Sequence, residues 1–144
     1  MKPALHRVIG LQHFFDNDLG GYLHGFRNRS LTDFGHNVVA DISTRGMVLN
    51  LTHFFPQVAQ DLLDITDMPI IVSHTGIYGH CPAKRNFPDD LMRRIAASGG
   101  VLGMGYWAEV ACGDLSPSSI ARMIKTGITE VSVDHISIGS DFDG

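Results

Sequence analysis

Five short apolar runs, each followed by a stretch of helical character or by a polar cluster, constrain this chain more than any other feature. They read Val8-Ile9-Gly10-Leu11, Met47-Val48-Leu49-Asn50-Leu51, Pro69-Ile70-Ile71-Val72, Val101-Leu102-Gly103-Met104-Gly105 and Ile136-Ser137-Ile138-Gly139. Short, largely β-branched runs without polar alternation suit strands buried on both faces. Thr32 can cap a helix running to about Arg45, with Val38, Val39 and Ile42 at helical spacing and Gly46 as the stop. Pro56 can open a second helix. Pro88 with Asp89 and Asp90 can open a third that ends at Gly99-Gly100. Ser116-Pro117 can cap a fourth that ends at Gly127. The resulting β-α-β-α-β-α-β-α-β order implies a parallel sheet with helical crossovers.

Every strand run ends in groups capable of chemistry. The first leads to His13, the second to His53, the third to His74, the fourth to Tyr106 and Trp107, and the fifth to Asp141 and Asp143. In a parallel sheet those ends share one rim, where α/β barrels and open α/β sheets place their active sites. A complete eight-stranded barrel needs about 250 residues, and this chain has 144. The expected fold is therefore part of a TIM (β/α)8 barrel of about five βα units, with N-terminal strands and C-terminal helices missing. An open five-stranded domain is the competing architecture. Asp16 to Ser30, rich in Gly, Asn and Arg, reads as one long loop.

Composition removes several function classes. With 11 Lys and Arg against 15 Asp and Glu, the net charge is −4, which lacks the basic stripe of a nucleic-acid binder. No apolar run approaches the roughly 18 residues of a membrane span, and no signal-peptide pattern opens the chain. Cys81 and Cys112 form neither a CxxC pair nor a disulfide framework. The expectation is buried or free thiols in a reducing, cytoplasmic setting.

His53 and His74 lie one α/β unit apart, so both imidazoles should meet on neighbouring strand ends. Zinc sites combine neutral imidazole with carboxylate. The bland alternative is a pair of hydrogen-bonded core histidines. Asp141 and Asp143 bracket Phe142, and a carboxylate at a barrel mouth can ligate metal or move a proton. A helix cap explains Asp143 well and Asp141 less well. Arg85 on a loop could clamp a carboxylate, although the residues alone favour a solvated surface arginine. His13 could bind an oxyanion or a carbonyl. His36 reads as a helix-surface residue and His135 as a residue just before a strand, while His24 and His80 have no evident placement. HExxH, GxSxG, Walker A, GxGxxG, His-x-His and His-x-Asp are all absent.

Taken in order, Thr32-Asp33-Phe34-Gly35, Arg45 through His53, Ser73-His74-Thr75-Gly76, Arg85-Asn86, Gly99 through Gly103, Asp134-His135 and Gly139-Ser140-Asp141-Phe142-Asp143-Gly144 resemble the membrane dipeptidase (renal dipeptidase) family of zinc peptidases. The resemblance covers nearly the whole chain. Gly10 through Asn17 looks most like bacterial members. The resemblance implies an amidohydrolase-type barrel of which residues 1–144 form a C-terminal portion, incomplete at both ends. It implies two zinc ions, with His53 and His74 as ligands to one of them. It also implies His13 and Arg85 as substrate-binding residues, Arg85 on the substrate carboxylate, and Asp141 as the catalytic proton carrier. The implied reaction is attack of metal-activated water on the peptide carbonyl of a dipeptide, and a homodimer is an implied assembly.

Two departures accompany the resemblance. Asn50 replaces the family's usual Asp, which alters a contact behind the metal ligands. The family's His-x-Asp and bridging glutamate have no counterpart, since neither Glu109 nor Glu130 stands at the bridging position. Weak or no catalysis is therefore expected of these 144 residues alone. Another amide or lactam hydrolase, and a non-catalytic remnant or interaction subunit, are the alternatives.

Overall fold

The computed structural model describes residues 7–13, 15–21 and 30–142. Asp143, His24, Phe14 and residues 22–29 of the expected long loop lie outside the described residues. The strands are β1 (Val8–Gly10), β2 (Val48–Asn50), β3 (Ile70–Thr75), β4 (Val101–Met104) and β5 (Ile136–Ile138). The helices are α1 (Asp33–Thr44), α2 (Pro56–Ile65), α3 (Asp89–Ala97) and α4 (Pro117–Val131). No helix of the described residues is long and apolar enough to cross a membrane.

The strands form one all-parallel sheet in the order β1-β2-β3-β4-β5. Strictly sequential order means each crossover moves one strand along, always in the same direction. That is the winding of an arc of a (β/α) barrel. A doubly wound open sheet would reverse its strand order partway.

Local chemistry places the helices. The Thr32 hydroxyl accepts the Gly35 N–H at 3.0 Å and caps α1. Pro56 occupies the first turn of α2, where its missing N–H costs nothing. The Ser116 hydroxyl accepts the Ser119 N–H and caps α4. Helices α2, α3 and α4 pack side by side. Arg94 pairs with Asp64 across one seam and Arg93 with Glu130 across the other. The core lies between this helical layer and the sheet, around Leu49, Phe54, Leu62, Ile77, Leu91, Ile95, Leu102 and Met123.

Two expectations fail here. Helix α4 does not stop at Gly127 but runs on to Val131, and Ser132 at φ 77° ends it. Gly127 is a contact residue instead. A Cβ there would sit 3.0 Å from the tips of both Ile77 and Ile136, so its absence lets the helix lie close on the sheet. The second failure concerns the cysteines. Cys81 and Cys112 are joined in a disulfide, with Cα atoms 5.7 Å apart. They follow β3 and β4, so the neighbouring parallel strands bring their loops side by side. This removes the thiol argument for a reducing compartment.

Within the expected long loop, residues 16–21 are ordered by a turn. The Asn17 side chain donates to the Leu11 carbonyl at 2.6 Å and accepts the Leu19 N–H at 2.8 Å.

Candidate metal and substrate site

The five strands deliver their C-terminal groups to one rim. His13 follows β1, and its ring lies 4.7 Å, centroid to centroid, from that of His53. His53 follows β2 in a turn and holds φ at 72°, in the left-handed region. His74 lies within β3, its ring 5.0 Å from that of His53 and 5.7 Å from that of Trp107 beyond β4. Asp141, beyond β5, holds φ at 56° and brings Oδ2 to 3.4 Å from the His74 Nε2. Left-handed backbone costs a non-glycine residue on the order of 1–3 kcal/mol and persists only where the surroundings impose it. Two of the four described non-glycine residues with positive φ, His53 and Asp141, are candidate site residues.

A bulge aims His74. Val72 pairs with Leu102 and Thr75 with Met104, so β3 carries one more residue than β4 across this interval. The extra residue lies at Ser73-His74, and bulges re-aim side chains in this way. Two glycines make room for it. A Cβ on Gly103 or Gly139 would lie 2.1 or 2.0 Å from the Ser73 carbonyl oxygen, inside any allowed contact.

Arg85 is not the solvated surface residue that its loop position allowed. It is 5% exposed. Its guanidinium donates to the His74 carbonyl oxygen at 3.2 Å and lies 5.5 Å from the centre of the Trp107 ring. The disulfide pins the two loops that carry Arg85 and Trp107, and Asn86 reinforces it by donating to the Cys81 and Val110 carbonyls at 2.8 and 3.0 Å. Tyr106 meets Phe142, ring centres 5.3 Å apart. His36 is exposed on α1, as its helical position implied. His135 lies just before β5, bonded to the Gly100 carbonyl at 2.8 Å.

Asn50, singled out in the sequence as a contact behind the metal ligands, forms a hydrogen-bonded cluster behind His74 with Thr52 and Ser73, which the sequence did not single out. For Thr52 and Ser73 the sequence signal was a hydroxyl residue directly before each histidine, Thr52-His53 and Ser73-His74.

The donor chemistry fits a zinc-type ion, since two imidazoles lie 5.0 Å apart and a carboxylate lies beside one of them. Among the described residues, no three His, Cys, Asp or Glu side chains close on one point as a complete cage. What these residues supply is a partial donor set.

A sequence profile of the membrane dipeptidase family (peptidase family M19) matches residues 4–144. The chain belongs to the membrane dipeptidase family. It is 30% identical to the dipeptidase aclJ of Aspergillus oryzae over 122 residues, 82% of this chain and 29% of that protein. It is 29% identical to an uncharacterized dipeptidase of Schizosaccharomyces pombe, over 96% of this chain and 35% of that protein. The chain thus spans about a third of the length of these relatives. Among solved structures it resembles an amidohydrolase from Pseudomonas aeruginosa, with a TM-score of 0.87 and 26% identity over 94% of this chain and 42% of that one. A metallo peptidase from Rhodobacter sphaeroides, liganded with a phosphinate mimic of the dipeptide L-Ala-D-Ala, matches with a TM-score of 0.76. At 23% identity, over 87% of this chain and 37% of that one, the likeness is one of fold. The rim described above is therefore the C-terminal rim of a membrane dipeptidase-type barrel arc.

Proposed function

We propose that this chain carries one half of a zinc-dependent dipeptidase site and that the whole activity is hydrolysis of dipeptides. The observation that carries the reading is the convergence of His53, His74 and Asp141 on one rim, with Arg85 buried beside it. The family's dipeptidase members support the substrate class.

In this reading His53 and His74 hold a zinc ion through ring nitrogens. Bound zinc would activate water and polarise the scissile carbonyl. The chain's own groups do the rest. Arg85 offers a planar, permanently charged fork to the substrate's terminal carboxylate, which limits the substrate to short peptides. The guanidinium is fixed by the His74 carbonyl and the Trp107 face, so little side-chain freedom is lost on binding. His13, exposed at the edge of the histidine row, donates a hydrogen bond to the oxygen that gains charge during attack. Asp141 carries a proton to the departing amine. Two histidines are too few for a dinuclear centre, so the chain by itself has weak or no turnover.

Binding of a dipeptide-type phosphinate to the zinc-loaded chain tests this reading by calorimetry. Binding should require zinc, and Arg85→Met should weaken it at least tenfold. Binding that is independent of zinc and of Arg85 would overturn it.

A second reading is favoured by the amidohydrolase neighbour, the solved structure with the higher TM-score of the two. A site for neutral amides would use the same histidines and Asp141 but not Arg85. Under that reading Arg85→Met leaves binding of a neutral amide analogue unchanged.

A further inference from the structure

We infer that Asn50, Thr52 and Ser73 act as positioning residues that fix the neutral His74 ring with its proton on Nδ1. Its Nε2 lone pair then faces the rim.

The argument is a count of protons. The Asn50 side-chain oxygen is identified by its donors, because the backbone N–H groups of Thr52 and Ser73 reach it at 3.2 and 3.1 Å. Its amide nitrogen must then be the atom that donates to the Ser73 hydroxyl at 2.9 Å. Three other contacts each need a proton between their heavy atoms. They are Thr52 Oγ1 to Asn50 Oδ1 at 2.8 Å, Thr52 Oγ1 to Ser73 Oγ at 3.0 Å, and Ser73 Oγ to His74 Nδ1 at 3.0 Å. The two hydroxyls supply one proton each. Asn50 Oδ1 has no proton to give, so Thr52 must donate to it. Ser73 must therefore donate to Thr52. The last contact can be filled only by a proton on His74 Nδ1.

This assignment also saturates the cluster. Ser73 Oγ donates once and accepts from Asn50 and His74. Thr52 Oγ1 donates once and accepts from Ser73 and from the His74 backbone N–H at 3.3 Å. The opposite tautomer would leave two oxygens, or an oxygen and a nitrogen, facing each other without a proton at about 3 Å, whereas a proton on Nδ1 leaves only the longer 3.4 Å contact of Nε2 with the Asp141 carboxylate without one. In a site where Thr52 is 2% exposed, that mismatch costs on the order of a lost hydrogen bond. The hydrogen bond made by one ring nitrogen decides which electrons the other can offer.

Asn50 thereby gains a role. Its amide nitrogen donates to the Ser73 hydroxyl, which leaves the Ser73 proton for Thr52. The proton assignment stands on the hydrogen-bond geometry. Its use, offering a lone pair to a metal, rests on the proposed function.

The test is long-range proton–nitrogen correlation NMR of the metal-free chain with nitrogen-15 histidine, at a pH where the rings are neutral. The His74 signals are identified by their loss in His74→Asn. The expected pattern is a protonated Nδ1 and an unprotonated Nε2. Ser73→Ala should shift the proton toward Nε2, and Ser73→Thr should restore the original pattern. A wild-type ring protonated on Nε2, or averaged between the two nitrogens, overturns the inference without recourse to any variant. An unchanged pattern in a folded Ser73→Ala chain overturns the role of Ser73. Zinc titration separates the two claims. If zinc leaves the His74 nitrogen signals unmoved, the metal reading fails while the proton assignment stands.

Discussion

Removing the Cys81–Cys112 crosslink gives a perturbation whose size can be worked out from the fold. The two cysteines are separated by 31 residues. In the chain-entropy account, closing a loop of that length in the unfolded state contributes about 3.7 kcal/mol of stability at 25 °C. Residual structure in the unfolded chain lowers that figure, so it is an upper value. The crosslink ties together the loops after β3 and β4, and these loops also share the Asn86 hydrogen bonds. The chain lacking the crosslink should therefore still fold, but with a lower midpoint. For a domain of this size the loss corresponds to roughly 10 °C in Tm. Urea unfolding of oxidised protein, reduced protein and Cys81→Ala/Cys112→Ala supplies the measurement. The single tryptophan, Trp107, reports on the loop itself. Its fluorescence should change on reduction before global unfolding, because Arg85 borders its ring and the disulfide joins the loops that carry the two residues. Unfolding free energies of oxidised and reduced protein that agree within about 1 kcal/mol would refute the reasoning.

Other expectations follow from individual contacts. Phe54 is fully buried beneath the β2 turn that carries His53. Phe54→Ala should cost about 3–5 kcal/mol in urea unfolding, and a cost under ~1 kcal/mol would mean the turn is not anchored there. Gly139→Ala drives a Cβ to 2.0 Å from the Ser73 carbonyl oxygen. It should destabilise by roughly 1–3 kcal/mol or more and weaken zinc binding through His74; unchanged zinc affinity would mean that the bulge does not aim the ring.

Much of the architecture was legible in the sequence because the signals were local. Thr32, Pro56 and Ser116 mark helix starts through hydrogen bonds or ring geometry that involve only a few neighbouring residues. The polar groups just beyond each apolar run marked the rim, since parallel strands end on one side. What the sequence hid was set by contacts between strands. Gly127 looks like a helix stop, but its lack of a side chain serves helix-to-sheet packing with Ile77 and Ile136. The cysteines carried no spacing signature, and only the adjacency of β3 and β4 pairs them. Arg85 is indistinguishable from a surface arginine until Trp107 and the His74 carbonyl close over it. The Asn50–Thr52–Ser73 cluster joins the end of β2 and the turn after it to β3, so neither segment alone announces it.

The central claim is that His53 and His74 meet at neighbouring strand ends as ligands to one metal ion. Zinc content per chain tests it most directly, by elemental analysis of protein purified without chelator and of the His53→Ala and His74→Ala variants. The account predicts zinc in the parent chain, at no more than one ion, and its loss from both variants. A parent chain that holds no zinc, or variants that hold as much as the parent, would contradict it.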